Sequence, residues 1–529
     1  MQGKKEYTEK LFLNFQLSHK VPEDNFYRQL KTVLDLNWLY KATSKYYGKE
    51  GQESIDPVVF FKLILIGYLE NLSSDRRIIN TATMRLDMLF FIGYDIDEAL
   101  PWHSTLSRTR QLYGDEVFKK LFKQILQQCV EKGMVSGRRQ AVDSAPVKAN
   151  ASMDSLTEKE ILADGDDYTD ELKEADDTIN KSTVSAARKK VVDNQHRGQA
   201  KAYKDMPSSN NEERKFVSNH THSSITDPDA RISVKPGKPR QLNYHAQVAV
   251  DTAHHVITQI QSDYANKKDS QCLPSLLKNT IENLAENNLT VEELLADGGY
   301  SSGEALQVLE DNNIEGYIPN FGQYKSDREA AGFVYDEVND KYICSRGKEL
   351  PFKKIDKSTL GYERKTYRSS SLDCAVCPLR NKCIGKSDFK KIGHTIHKPL
   401  YDRMHVKLQT QKAKRMKKLR SSTVEPVLGT LVNYLGMRRV NTRGIEQANK
   451  CMLMAAIAYN LKKLLKFTTR KVQTNAAAMQ VNQQALFLPQ TSLHKPIYFS
   501  LVPLLHKTKM QQQLKLAWRK MLLIELDYF

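Results

Sequence analysis

No apolar run in this chain is long enough to cross a bilayer. The two most apolar stretches, Val58 to Leu69 and Cys451 to Leu465, are too short or too polar. The first twenty residues, MQGKKEYTEKLFLNFQLSHK, lack a continuous apolar segment of the secretory kind, so a cytoplasmic location is expected. Cysteine occurs only seven times, in a grouping that does not suit the disulfide framework of a secreted protein. A Walker-type phosphate loop, a G-x-S-x-G turn and an H-E-x-x-H helix are all missing, which leaves ATP use, serine hydrolysis and zinc proteolysis without support. His220, His222, His245, His254 and His255 lie close in sequence. Neighbouring strand positions point to opposite faces, however, so they form no catalytic set.

What the chain does have is length and positive charge. Its 529 residues suffice for two to four domains, and 40% apolar with 27% charged residues is ordinary for a globular protein. Eighty Lys and Arg against 62 Asp and Glu leave a net charge of +18. A surplus of that size favours polyanionic partners through phosphate neutralisation and counterion release, nucleic acid first among them. A merely basic protein is the alternative.

Residues 1–135 read as an all-helical domain. Asp56 is placed to cap a helix that starts at Pro57, and Val117, Leu121, Ile125 and Leu126 recur at helical spacing after Asp115. Between them, Pro101-Trp-His-Ser-Thr-Leu-Ser-Arg-Thr-Arg is a turn leading into a basic helix. It suits either a DNA-reading helix-turn-helix, with Arg108 and Arg110 facing the duplex, or a plain bundle.

From residue 136 the texture becomes that of an α/β domain, extending to about 465. Arg139 to Ala145 reads as a short strand ending in Asp143. Tyr244 to Asp251 and His255 to Ile260 read as a hairpin, Leu294 to Ala296 as an apolar strand ending in Asp297, and Tyr317-Ile318 as another. Ser301 to Glu304 has a capping-box pattern. Two insertions interrupt the domain, at about 151–225 and 326–400. Residues 151–180 of the first carry eleven acids against two lysines and are followed by a basic stretch, and no chemistry is assigned there. Lys398 to Arg420 holds nine Lys or Arg against one Asp, after which Val424, Val427, Leu428, Leu431 and Leu435 lay down a helical stripe. A Gln-rich linker near Met479–Gln490 and a helical tail complete residues 466–529.

Asp143 and Asp297 at strand ends and Glu425 at a helix start form the kind of set that phosphodiester chemistry uses. Carboxylates are preferred ligands of Mg2+ and Mn2+, and two such ions can activate an attacking oxygen and stabilise a leaving one. Gly298 and Gly299 leave room beside Asp297 for close approach. A turn or cap role suits each acid as well, and Ser422-Thr-Val-Glu425 is itself a capping-box pattern.

Three blocks, Ala141-Val-Asp-Ser-Ala, Ala296-Asp-Gly-Gly-Tyr-Ser-Ser and Ser422-Thr-Val-Glu-Pro-Val-Leu-Gly, resemble the catalytic blocks of bacterial insertion-sequence DDE transposases. The likeness continues through Leu435-Gly-Met-Arg-Arg-Val-Asn-Thr-Arg-Gly, and upstream the Trp-His-Ser-Thr-Leu-Ser-Arg block resembles the helical N-terminal domain of such enzymes. The resemblance implies an RNase H-like mixed sheet and places the metal ligands at Asp143, Asp297 and Glu425. It implies nicking at the terminal inverted repeats of a mobile element, then attack of a 3′-hydroxyl on target DNA. It also implies at least a dimer on double-stranded DNA and a nucleoid-associated enzyme. Arg415, Lys417, Lys418, Arg420, Arg438 and Arg439 would then neutralise phosphates. Some relatives carry a Tyr-x2-Arg-x3-Glu-x6-Lys signature around the glutamate. Here its other places hold Lys418, Ser421 and Val432, with Arg420 one residue further out. A metal-dependent nuclease of the same fold, or a DNA-binding descendant without catalysis, are the competing functions.

Cys374-x2-Cys377-x5-Cys383, with Cys344 thirty residues before, suits a structural Zn2+ site closing the second insertion. His394 and His397 are competing ligands, and reduced free thiols are the alternative. Cys129, Cys272 and Cys451 read as core residues.

Overall fold

Pro57 lacks an amide hydrogen, and the carboxylate before it takes over the first turn: Asp56 Oδ1 accepts from the amides of Val58 at 2.6 Å and Val59 at 3.2 Å. The helix this opens, Pro57–Leu69, is apolar on almost every side and is the centre of the N-terminal region. The computed structural model describes residues 16–48, 50, 54–159, 217–219, 221–233, 239–320, 332–357 and 363–486. The chain divides into two compact units, Met1–Thr469 and Arg470–Phe529. Apart from the backbone of the last helix, everything below concerns the first.

Among the described residues eight α-helices precede the first strand: α1 (Leu17–Lys20), α2 (Phe26–Val33), α3 (Trp38–Thr43), α4 (Pro57–Leu69), α5 (Asp75–Thr83), α6 (Leu86–Ile92), α7 (His103–Leu112) and α8 (Asp115–Glu131). The stripe expected on α8 is buried as read, at Val117, Leu121, Ile125 and Leu126.

The central sheet is mixed. β1 (Arg139–Lys148) pairs antiparallel with β5 (Gln241–Asp251) on one side and parallel with β7 (Glu293–Leu295) on the other. β8 (Glu315–Tyr317) extends the parallel side. Strands β4 (Arg231–Ser233) and β6 (Ile257–Tyr264) share the outer edge of β5, and the short pair β2 (Leu156–Glu158) and β3 (His222–Ser224) stands apart. Three antiparallel strands followed by two parallel ones, with β1 in the middle, form an RNase H-like α/β sheet.

Alternation along the strands gives the sheet two faces. Ala141, Ala145, Val248 and Leu295 face α14 (Gln411–Tyr434), the start of α15 (Ile445–Leu486) and the N-terminal helices, in one continuous apolar core. Val142, Ala249, Leu294 and Ala296 face α9 (Asp269–Ala285), α10 (Gly303–Asp311) and α13 (Lys398–Leu408). The all-α region is thus built into one face of the α/β region. Polar ties reinforce the junction: Asn449 Nδ2 donates to Asp115 Oδ1 at 2.9 Å, and the buried Lys450 ammonium donates to the Tyr113 carbonyl at 2.7 Å.

The second insertion folds as a five-stranded antiparallel sheet, in the order β13 (Lys391–Thr395), β12 (Glu363–Arg368), β11 (Glu349–Lys357), β10 (Lys341–Cys344), β9 (Phe333–Asp336). The helices α11 (Ser371–Ala375) and α12 (Arg380–Cys383) lie between β12 and β13.

Four local expectations change. Asp143 is not at a strand end, because β1 continues to Lys148 along β5; only its pairing with β7 stops before Asp143, at Ala141. Glu425 does not start a helix: Thr410 caps α14 by accepting from Ala413 N, so Ser422 and Glu425 are interior and the capping-box reading fails. The cap of α10 is Ser302, which accepts from Ala305 N, in place of Ser301. The Gln-rich stretch has a helical backbone through Leu486. Most of the acidic and basic insertion, and the tail beyond 486, lie outside the described residues.

Candidate active site

In the parallel register Ala141 faces Leu295, so Asp143 on β1 and Asp297, two residues past the end of β7, both follow the last pair by two positions. A period of two puts Asp143 on the face of Ala141, the face that α14 covers. Helix α14 buries Val424, Val427, Leu428 and Leu431 against that face, and Glu425, beside Val424, keeps a side chain 56% exposed. Pro426 sits inside this helix and removes the amide that would close on the Ser422 carbonyl.

Arg420 connects two of the three acids. Its guanidinium donates from Nη1 to Asp143 Oδ2 at 3.0 Å and from Nη2 to Glu425 Oε1 at 3.2 Å. The arginine side chain is only 13% exposed, so this fork is held between sheet and helix. Arg420 was expected among the phosphate-facing cations; here it lies between two carboxylates. Burial pushes the Asp143 carboxyl above its ordinary range and the charge of Asp297 pushes the same way, against the Ser144 amide and Arg420.

Asp297 caps a short 3-10 turn, Gly298–Tyr300, and its Oδ1 accepts from Gly299 N at 2.9 Å. A Cβ at position 299 would stand 3.1 Å from Asp297 Oδ1 and 3.2 Å from Asp269 Oδ2, so glycine makes room for two carboxylates. Asp269 is an acid that sequence reasoning missed. It begins α9 and accepts from Gln247 Nε2 at 3.0 Å; Gln247 Oε1 in turn accepts from the buried Tyr300 hydroxyl at 2.5 Å. In the sequence Asp269 looks like any first-turn acid, and only the packing of α9 on β5 brings it to Gly299.

The donor set is chemically right for a divalent ion: hard carboxylate oxygens, one of them a buried acid beside another negative charge. Among the described residues, however, no three His, Cys, Asp or Glu stand close enough to hold an ion as placed. Asp143 and Glu425 meet through Arg420.

The other expected DNA-facing cations divide. Arg415, Lys417 and Lys418 are exposed on α14 upstream of Arg420, and Arg108, Arg438 and Arg439 are exposed as well. Arg110 does not fit its expected role. It is 4% exposed, with Nη1 and Nη2 bound to Asp75 Oδ2 and Oδ1 at 3.1 and 2.7 Å. At about 100° per residue, two positions along α7 turn Arg110 roughly 200° from Arg108, into the core.

In the second insertion Cys344 ends β10, Cys374 and Cys377 flank the end of α11, and Cys383 ends α12; all four are half-buried free thiols. Burial raises the Cys383 thiol, and the charges of Cys374, Cys377 and Cys344 raise it against Lys390, but no three of the four stand close enough to hold an ion as placed. Lys348 N donates to Cys344 Sγ at 3.3 Å. The competing histidines are occupied elsewhere. His397 packs against Gly303. His394 is buried among Tyr335, Tyr342 and Tyr367, with Nδ1 2.8 Å from the Tyr342 hydroxyl and Nε2 3.3 Å from that of Tyr367.

Burial, with Lys398 and Lys365 nearby, lowers His394 from 6.5 to about 4. The folded state thus holds it neutral while the unfolded chain ionises it at the ordinary value. Its stabilisation is present above pH 6.5 and is lost as pH falls towards 4. Proteolysis of the 332–395 region between those pH values is expected to rise in the wild type and to change less in His394→Gln. Equal pH dependence in both would refute the assignment.

Two family models match the chain. One, described as a transposase domain (DUF772), covers residues 15–112; the other, described as a transposase DDE domain, covers residues 343–465. The second match contains Glu425 and the four cysteines; Asp143 and Asp297 precede it. No curated protein matches the chain.

Proposed function

We propose that the chain, which two transposase-domain models match, is an insertion-sequence DDE transposase that binds the terminal inverted repeats of its own element and cuts and joins DNA strands with Asp143, Asp297 and Glu425. The observation that carries this reading is the convergence of the three acids: Asp143 on β1 feels the charge of Asp297, just past the end of β7, and Arg420 ties Asp143 to Glu425 on the helix across from them. In this reading residues 1–135 contribute DNA binding, residues 136–465 form the catalytic domain, and two element ends are brought together by at least two copies.

Asp143, Asp297 and Glu425 would hold Mg2+ or Mn2+, which when bound supplies activation of the attacking oxygen and charge stabilisation on the leaving one. The chain's own residues orient and screen. Gly299 keeps the approach to Asp297 open, and the buried Tyr300 and Gln247 fix the turn that carries it. Arg420 neutralises Asp143 and Glu425 while no other cation does so, and its planar fork suits a phosphate once they are engaged otherwise. Arg415, Lys417 and Lys418 continue the positive surface along α14.

The test is cleavage of a labelled fragment carrying the DNA that flanks the gene, with magnesium or manganese and the full-length protein. Cuts confined to the element ends, followed by joining to a target, support the reading. Cutting without preference for the ends would replace it by a general nuclease. Tight binding with no cutting would replace it by a DNA-binding descendant.

The gathered cysteines support a structural Zn2+ held by Cys344, Cys374, Cys377 and Cys383, through thiolates from two separated pieces of chain. Zinc removal is expected to expose residues 340–390 to protease while the rest of the chain stays resistant. A protein that purifies without zinc and melts unchanged in chelator would overturn it.

A further inference from the structure

At its far end β1 acquires a neighbour. The Lys148 amide donates to the Arg438 carbonyl at 3.2 Å, and Val440 N donates to the Lys148 carbonyl at 3.0 Å, so the segment after α14 runs parallel to the strand end. Beside this junction is a cavity of about 590 Å³, within the size range of small-ligand sites. Among the described residues Lys148, Arg240 and Arg439 line it, against one acid, Asp154.

Two of the cations are held in place. Arg439 Nη2 donates to Asn150 Oδ1 at 2.7 Å, and Asn150 Nδ2 donates to the Asn441 carbonyl at 3.3 Å. Arg240 Nη2 donates to the Val217 carbonyl at 2.5 Å. Lys148 is exposed at the strand end. Among the described residues no aromatic ring lines the cavity, and these offer no platform on which a base would stack. Beside Ala151, Met153, Leu242 and the acid Asp154, the lining offers cations, amide side chains and hydroxyls, and these are the partners of phosphate oxygens. Lys148 follows Asp143 by five residues on one strand, about 16 Å at roughly 3.3 Å per residue or the axial rise of about five base pairs at 3.4 Å each, and the odd spacing turns it to the opposite face, so a DNA strand that meets both wraps the end of the sheet.

We infer that this cavity binds the phosphodiester backbone of a DNA strand a few nucleotides from the scissile bond, through Lys148, Arg240 and Arg439. The inference rests on the transposase reading for its substrate and adds a second, non-catalytic anchor to it. Its role is positional: a strand held both here and at the carboxylates has its register over Asp143 set.

The test uses the full-length protein, wild type and Lys148→Gln/Arg439→Gln, with two probes: the element-end duplex and a single-stranded fifteen-nucleotide thymidylate. The double variant is expected to bind about tenfold or more weakly, and to lower the slope of log affinity against log salt by about two, close to one per lost phosphate contact. Neutral methylphosphonate linkages scanned through the duplex are expected to weaken the wild type at one or two positions, which become silent in the variant. If the double variant does not fold, Lys148→Gln alone, at an exposed side chain, is expected to lower the slope by about one.

A variant with wild-type affinity and slope on the duplex would overturn the cavity and leave the transposase reading intact, as would a methylphosphonate effect that persists undiminished. Variant-sensitive binding of the thymidylate without binding of the element ends would keep the cavity and remove that reading. Wild-type protein that binds neither probe would overturn both.

Discussion

Asp297→Asn is expected to lower cleavage at the element ends by on the order of a thousandfold or more, equivalent to about 4 kcal/mol of barrier, with binding of the same DNA unchanged. The carboxamide keeps the shape of the side chain and an oxygen to accept from the Gly299 amide, so the turn carrying Tyr300 stays formed. What it loses is the negative charge, which is what a divalent ion requires of its ligand. Binding rests elsewhere, on exposed cations such as Arg415, Lys417 and Lys418, none of which touches Asp297. Asp143→Asn and Glu425→Gln are expected to behave alike in cleavage, though each also leaves Arg420 with one carboxylate in place of two. Gel-shift titration alongside single-turnover cleavage separates the two effects. Cutting at the wild-type rate by any one variant would remove that residue from the site, and a parallel loss of binding would mean that the acids organise the DNA surface.

How much of this was legible before the structure depended on the distance over which each cue acts. Asp56 with Pro57, the alternation from Tyr244 to Asp251 and the stripe from Val424 to Leu435 are short-range signals, and the elements formed where those signals lie. Asp143 and Asp297 could be chosen by chemistry and by resemblance, but their nearness follows from a parallel register, ending two positions before each, that no local pattern encodes. Ser422-x-x-Glu425 failed because a capping pattern looks the same inside a helix as at its start. The deciding residue was Thr410, a dozen positions upstream. Arg420 lies 277 positions from Asp143, and nothing near either residue announces the pair. Asp269 was passed over because acids are common in the first turn of helices, and its approach to Gly299 is a consequence of tertiary packing.

Arg110→Ala is expected to destabilise the fold by roughly 3–5 kcal/mol, the range for breaking a buried ion pair by removing one partner. Charge alone placed Arg110 beside Arg108 on a DNA surface, whereas the structure turns it inward, both guanidinium donors on Asp75 and the Asp75 side chain only 14% exposed. Removing the arginine leaves that carboxylate desolvated and without its fork, at the contact that joins α5 to α7. Arg110→Lys is expected to recover only part of the loss, since a single ammonium cannot make both hydrogen bonds in one plane. Arg110→Met with Asp75→Leu is expected to lose less than Arg110→Ala, because neither half of the pair is then stranded. Urea denaturation of the full-length protein, with DNA binding measured on each variant below its transition, distinguishes the two assignments. A structural arginine lowers the midpoint and leaves the salt slope of DNA binding untouched. A DNA-contacting arginine would do the reverse: stability would stay within about 0.5 kcal/mol of wild type, and the slope would fall by about one.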